Sequence, residues 1–389
     1  MTEGIGPQRN VAFVVRNLSL GGIPRVVIEI CAAWSKQHPQ DRVHLVLLDD
    51  HGRHYDTPEK VTEHDLTRLL NDIPGKLVRL GNKILPNLCS VFTMGRNTRA
   101  LNLWARNLEL QSGLPVDIVL CGYGAISCFS PRRLKNCLCV GHNLYGDMLR
   151  ERTGRLASLN RRLLRRVLNG ARVFAISTPI REALRHDIGV TVEDTVLYNP
   201  IDVNRILQLS SEAEPKQFDG PHILYLGRLS PEKNVDLIIR AFGGMKTDAS
   251  PVLVIAGAGH ERAQLERLAA EQPRPVRFLG PLKNPYPVLS TASALVLASD
   301  FEGMPTVLLE ARALGTPIVT TAAGGASTEA IEGYDMAVLV PDKKPASLSE
   351  GLAAVLALSD APRRPDPLPG FTTEACIARY REALHAAPK

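Results

Sequence analysis

At 389 residues the chain is longer than one hydrophobic core ordinarily holds, so two to three domains are expected. A composition of 44% hydrophobic and 22% charged residues excludes a disordered chain, and 5% aromatics argue against a nucleic-acid binder built on stacking platforms. The 46 basic against 40 acidic residues leave a net charge of +6, which points to an anionic partner.

The elements then follow in order. Val11 to Val15 reads as a buried strand, followed by Gly21-Gly22 and a helix from about Ile23 to Trp34. Val43 to Leu48 is a second strand, and Leu85 to Leu110 contains a long helical pattern. Short strands are expected at Asp117 to Leu120, Cys137 to Val140 and Arg172 to Ile176, with a helix at Pro179 to His186. The pattern restarts at His222 to Leu226 and alternates through Val252 to Ala256, Val276 to Leu279, Ala294 to Ala298, Pro317 to Thr320 and Ala337 to Val340. Helices are expected at 234–242, 260–271, 286–292, 306–314 and 348–358. Apolar runs alternating with helices are the signature of parallel sheets covered on both faces. The boundaries expected are 1–205, 206–365 and a final segment 366–389, whose helix at Thr373 to His385 follows a Pro-rich break and would cross back to the first domain.

No apolar run approaches the roughly 18 residues a membrane helix requires, and Met1 to Asn10 lacks a signal-peptide core. Seven scattered Cys with no CxxC pair suit reduced thiols and a cytoplasmic setting. Cys137 and Cys139 are expected to pack on one strand face, and Asp49-Asp50 reads as a strand-end turn, so no metal cluster is expected.

Four features of the second half converge on phosphate. Gly227 to Asn234 places Arg228 and Lys233 five residues apart on a loop after a strand, where ligands bind in open α/β sheets. Ala256-Gly257-Ala258-Gly259 is a glycine turn between strand and helix. Asp300 to Pro305 leads into a helix whose free N–H groups favour an anion, with Glu310 one turn inside. A carboxylate in that apolar helix suits either a ligand or a pair with Arg312 or another cation. Gly324-Gly325 with Glu329 follows the next strand.

These strings resemble the retaining GT-B glycosyltransferases that use nucleotide sugars, the family-four-like group of bacterial glycolipid and surface-polysaccharide enzymes. The match covers 222–341 best, while Ser19 to Arg25 resembles the group's first glycine loop and Val140-Gly141-His142 its histidine region. Two departures stand out: three residues separate Gly325 from Glu329, and Pro24 lies within the first glycine loop.

The resemblance implies two Rossmann-like domains facing across a cleft. It implies transfer of a hexosyl or N-acetylhexosaminyl unit to a lipid-linked or polysaccharide-type glycan. Arg228 and Lys233 would hold the donor diphosphate without metal or other cofactor. Glu302 would meet the transferred sugar, Glu310 the ribose, and the Gly303 and Met304 amides the phosphates. Gly21, Gly22, Gly227 and Gly257 would allow close approach of the donor, and His142 would lie near the reacting sugar. The alternatives are a soluble transferase making a small glycoside or storage sugar, and a non-catalytic nucleotide-sugar-binding protein; a nucleic-acid partner is not expected.

Between Met148 and Gly170 there are seven Arg and one acid, Glu151. As a helix, this stretch would gather Leu149, Leu156, Leu159, Leu163 and Val167 on one face. Arg155, Arg161, Arg162 and Arg165 would lie off that face, free either to be solvated or to meet anionic lipid on the inner membrane surface.

Overall fold

The computed structural model describes residues 8–19, 21–49, 52–66, 88–142, 155–212, 221–246, 251–322, 325–359 and 362–386, with only the backbone for 88–92, 155–157, 159 and 160. The chain divides into two compact units. One comprises the residues up to Pro200 together with those from Thr373, and the other is Ile201–Thr372.

The first unit is built on β1 (Asn10–Val15), β2 (Arg42–Leu47), β3 (Val61–Asp65), β4 (Val116–Cys121), β5 (Cys137–Gly141) and β6 (Arg172–Ala175). They form one parallel sheet in the order β3-β2-β1-β4-β5-β6. The central strands are apolar throughout because helices cover both faces, so neither side chain set meets water. The edge strand β3 escapes the sequence pattern, since Val-Thr-Glu-His-Asp has no apolar run.

A helix at Gly22–Gln37 follows β1, and the final helix Thr373–His385 packs against it. Tyr380 from that last helix lies fully buried, edge-on to Phe13 at 6.2 Å between ring centres. Arg172 Nη2 donates to the Ala383 carbonyl at 2.6 Å, and Arg379 stacks over Tyr198 at 5.0 Å, which fixes the last helix to this unit.

The same unit encloses a histidine pair. Asn10 Nδ2 donates to Ser112 Oγ and the Leu114 carbonyl, so its Oδ1 is left to accept from His44 Nε2 at 3.1 Å. That assigns the His44 proton to Nε2 and makes Nδ1 the acceptor for His64 Nε2 at 3.0 Å. Trp104 packs edge-on against both rings.

The second unit repeats the plan. Its strands are β7 (His222–Leu226), β8 (Val252–Ala256), β9 (Val276–Gly280), β10 (Ala294–Leu297), β11 (Ile318–Thr321) and β12 (Ala337–Val340). All pairs are parallel, in the order β12-β11-β10-β7-β8-β9. Each sheet reverses direction of growth between its first and fourth strands, β1/β4 and β7/β10. The loops leaving those strands therefore diverge and open a crevice at their carboxyl ends.

Among the described residues three α-helices went unread in the sequence, one of them Ser327–Ile331 after β11. Val203–Ser210 is capped by Asp202 Oδ1, which accepts from Arg205 N at 2.9 Å, and Gly122–Ile126 is a single short turn after β4.

The Arg-rich stretch is helical over Arg155–Leu168, but its buried face differs from the expected one. Leu164 and Leu168 are buried at 2% and 1% exposure, while Leu163 and Val167 are only half-buried. The seam follows i, i+4 from Leu164, one residue round from the expected line. Leu149 lies outside the described residues, as do the side chains of Leu156, Leu159 and Arg155. Arg161, Arg162 and Arg165 are exposed, and Arg165 lays its guanidinium beside Gly189.

Candidate functional site

The site in the second unit is assembled from loops at the ends of neighbouring strands. After β7 the chain runs Gly227-Arg228-Leu229-Ser230 into a short turn at Pro231–Lys233. The turn ends at Asn234 in the left-handed conformation, φ 48°, from which the helix Val235–Gly243 starts. Asparagine tolerates this conformation better than most side chains.

Here the conformation has a use. Asn234 Nδ2 donates to the Ala298 carbonyl at 3.0 Å and to Asp300 Oδ1 at 2.7 Å, tying the β7 loop to the β10 loop. Asp300 N returns a bond to the Glu232 carbonyl at 2.8 Å, and Lys343 Nζ reaches Asp300 Oδ1 at 2.7 Å from the segment after β12.

Lys233 and Glu302 meet inside this clasp. Lys233 Nζ lies 2.6 Å from Glu302 Oε1, and both side chains are largely buried, at 15% and 13% exposure. Ser299 Oγ donates to the same oxygen at 2.6 Å, so Glu302 is fixed from two sides. Arg228 is placed differently: its side chain is 66% exposed and leans on Glu232 at 3.5 Å. Tyr225, buried beneath, donates its hydroxyl to the Arg228 carbonyl at 2.6 Å, and burial raises its pKa. The loop carrying Arg228 is thus anchored by its backbone while the guanidinium points outward.

The glycines of the region serve loop-to-loop contact. Gly227 N donates to the Ala256 carbonyl and Leu229 N to the Ala258 carbonyl, at 3.0 and 2.9 Å. A Cβ on Gly257 would strike the Gly227 carbonyl oxygen, so Gly257 is demanded by this packing. Gly325, at φ 155°, lies against the Glu302 backbone in the same way, and Ala326 N donates to the Glu302 carbonyl at 3.1 Å. The β7, β10 and β11 loops therefore converge around Glu302.

Gly303 and Met304 lead into the helix Thr306–Ala313, whose N-terminus has no side-chain cap. Glu310 is 2% exposed within it. The pairing with Arg312 anticipated as an alternative does not form. Arg312 directs Nε and Nη2 at Asp366 Oδ2, 2.8 and 2.6 Å, and Nη1 at the Ala330 carbonyl, 2.7 Å, which engages all three guanidinium nitrogens away from Glu310.

In the first unit, Gly21 is extended and precedes the helix Gly22–Gln37, which also lacks a side-chain cap or an early acid. Apart from its chain neighbours and its own helix backbone, no atom of the described residues comes within 4 Å of where a Gly22 side chain would begin. His142 follows β5, is 4% exposed, and its Nε2 has no hydrogen-bond partner among the described residues. Burial lowers its pKa to about 4, so the ring is neutral at pH 7.

The structure thus brings Arg228, Lys233, Gly227, Gly257, Glu302, Gly303, Met304 and Glu310 into one unit, and His142, Gly21 and Gly22 into the other. Ser299, Asn234, Asp300 and Lys343 were missed. Ser299 lies three residues from the Glu302 it holds, but Asn234 and Lys343 reach Asp300 across 66 and 43 residues, which no local pattern announces.

Two family models match nearly end to end. Glycosyltransferase Family 4 matches residues 20–205, and Glycosyl transferases group 1 matches residues 208–366. The chain belongs to this group of GT-B glycosyltransferases. Among curated relatives, the glycosyltransferase chain is 33% identical over 163 residues to an N-acetylgalactosamine-N,N'-diacetylbacillosaminyl-diphospho-undecaprenol 4-alpha-N-acetylgalactosaminyltransferase of Campylobacter jejuni, covering 41% of this chain and 44% of that protein. It is 28% identical over 141 residues to the lipopolysaccharide core biosynthesis glycosyltransferase LpsE of Rhizobium meliloti, covering 36% and 41%. The chain thus spans under half the length of these relatives.

Its fold is that of the lipopolysaccharide outer core galactosyltransferase WaaB, with TM-score 0.66 at 16% identity over 96% of this chain and 99% of that one. It is also that of Staphylococcus aureus TarM, with TM-score 0.68 at 12% identity over 97% and 100%.

Proposed function

We propose that the chain is a retaining glycosyltransferase that moves a hexosyl or N-acetylhexosaminyl unit from a nucleotide sugar to a lipid-linked or polysaccharide-type glycan. The observation carrying this is the convergence of the β7 and β10 loops on the buried Lys233–Glu302 pair, at the reversal point of the second sheet, in a chain of this family.

The reaction breaks the bond from the anomeric carbon to the diphosphate and forms one to an acceptor hydroxyl on the same face. The acceptor proton leaves with the products. Negative charge grows on the departing nucleoside diphosphate, and Lys233 and the exposed Arg228 are the cations that would meet it. The uncapped helix at Thr306 would add backbone N–H groups from Gly303 and Met304 onward. Two cations and a helix terminus are enough to take the charge a divalent ion balances elsewhere, so the proposal includes no metal or other cofactor.

Glu302, held by Ser299 and Lys233, keeps its second oxygen Oε2 for sugar hydroxyls. Glu310 would accept from the ribose. Neutral His142 would act as a hydrogen-bonding group toward the sugar, and the open backbone at Gly21 and Gly22 would admit the diphosphate. The names of the relatives support a lipid-linked or lipopolysaccharide-type acceptor, since one acts on a diphospho-undecaprenol glycan and another in lipopolysaccharide core synthesis.

A second reading, a transferase making a small glycoside or storage sugar, draws on a glycogen synthase of Mycobacterium tuberculosis that is 35% identical over 170 residues, 42% of this chain and 40% of that protein. Thermal shift against a panel of nucleotide sugars, followed by transfer to lipid-linked and soluble acceptors, tests both. A stabilising donor and preferential transfer to the lipid-linked acceptor support the first reading. Equal or greater transfer to small soluble acceptors supports the second, and no donor stabilisation overturns both.

A further inference from the structure

The helix Leu88–Ser112 turns an unusual face to solvent. Arg99, Leu103, Arg106 and Leu110 are all exposed, and their spacing of four, three and four residues places them on one stripe. Leu103 is 61% and Leu110 75% exposed. The opposite face is buried through Asn97, Leu101 and Ala105, so the stripe is not a misassigned core seam. Isolated exposed leucines need no explanation, but two on a shared line between arginines form an apolar strip with a cationic border.

The basic border extends beyond the helix. Asn102 Nδ2 donates to the Arg133 carbonyl at 2.9 Å, fastening the turn Pro131–Arg133 beside the stripe. Arg132, Arg133 and Lys135 are exposed there, and the helix Arg155–Leu168, with exposed Arg161 and Arg162, packs on the same turn. The segments 88–112, 131–135 and 155–168 together carry eleven basic residues and one acid, Glu109. That acid is already engaged, accepting from Val116 N at 3.2 Å and facing Lys135 at 4.0 Å.

We propose that this face docks on an anionic lipid bilayer, with Leu103 and Leu110 entering the boundary between headgroups and acyl chains. Arg99, Arg106, Arg132 and Arg133 would pair with lipid phosphates. Basic residues around an apolar strip are the chemistry that binds the interfacial plane of a membrane. A second copy of the chain is a poor occupant, because it would set its own Arg99, Arg106, Arg132, Arg133 and Lys135 against the same exposed cations. The idea deepens the lipid-linked acceptor reading and rests on it for purpose. It also replaces a purely electrostatic role for the Arg155–Leu168 helix with a composite surface whose anchors are leucines on another helix.

The test is flotation with vesicles of phosphatidylcholine alone or mixed with phosphatidylglycerol, using the full chain. Wild type should bind only the mixed vesicles, and less as salt rises. Leu103→Gln with Leu110→Gln should weaken binding about tenfold while keeping the salt dependence, since only the apolar part is removed. Arg99→Gln with Arg106→Gln should weaken binding and flatten the salt dependence. These exposed substitutions should leave Tm and donor hydrolysis unchanged, so a failed transferase reading would show in hydrolysis and a failed docking reading in flotation.

The idea is overturned if wild type ignores anionic vesicles or if the leucine variant binds them as well as wild type. It is equally overturned if a single-stranded oligonucleotide competes fully and the leucines make no difference, or if the leucine variant only abolishes self-association.

Discussion

Lys233 and Glu302 come from loops on two different strands and meet at 2.6 Å with most of their surface removed from water. A pair that buried is costly to desolvate and stable only with further hydrogen bonds, and Ser299 supplies one. The arrangement holds the lysine ammonium and the carboxylate in fixed register, the preorganisation that the proposed electrostatic catalysis requires.

Arg228→Ala and Lys233→Ala should therefore separate. Both should lower kcat/KM at least about a hundredfold if each meets charge that grows in the transition state. Only Lys233→Ala should also destabilise the fold, by about 2 kcal/mol, because it leaves Glu302 half-satisfied. The exposed Arg228 should leave Tm within the small range typical of surface substitutions. Steady-state kinetics and thermal melts on the two variants check this.

Asn234→Gly probes the clasp apart from the charges. Glycine adopts φ 48° without penalty, which offsets about 1 kcal/mol of the two hydrogen bonds lost to Ala298 and Asp300. Tm should change little, while turnover should fall about tenfold as Lys233 and the β10 loop lose their shared alignment. Asn234→Ala loses the bonds without that relief and should melt earlier than Asn234→Gly. Equal turnover in Asn234→Gly and wild type would make the asparagine purely structural.

Stability should fall in mild acid. Burial lowers the pKa of His44 to about 4, with the His64 and Arg42 charges adding to it, and burial alone lowers that of His142 to about 4. The ordinary imidazole value is about 6.5, so the unfolded chain takes up protons that the folded chain refuses. The stabilisation is complete above about pH 6.5 and is lost as pH falls toward 4. Thermal melts across this range should show the slope, and His44→Gln should reduce it while lowering Tm at neutral pH. A flat profile would contradict the neutral assignment.

Activity should survive chelation by EDTA, because Arg228, Lys233 and the Thr306 helix terminus carry the charge-balancing role in the proposal. Complete loss restored by magnesium or manganese would point to ligands the proposal does not contain.

How much of this was legible in the sequence follows from where the signal lies. Buried parallel strands announce themselves as apolar runs, so β1, β2, β7, β8 and β10 could be read directly. β3 could not, because an edge strand with Thr62, Glu63 and His64 needs no apolar period. Arg228, Lys233 and Glu302 stood out by charge type at strand ends. Asn234 and Ser299 did not, since a turn asparagine and a serine look alike in every loop, and their value lies in a contact across 64 and 3 residues. The Arg155–Leu168 helix was found, but its seam was placed one residue off because leucines crowd 163 and 164 alike. Leu103 and Leu110 gave no warning of exposure, since an apolar residue is read as core until the face is seen.

The most direct test of the central claim is titration of nucleoside diphosphates into wild type, Lys233→Ala and Arg228→Ala, followed by calorimetry. At least one diphosphate should bind wild type, and each variant should bind it at least about tenfold more weakly, a loss of about 1.4 kcal/mol or more. Unchanged affinity in both variants would contradict the placement of the donor at the Lys233–Glu302 loops.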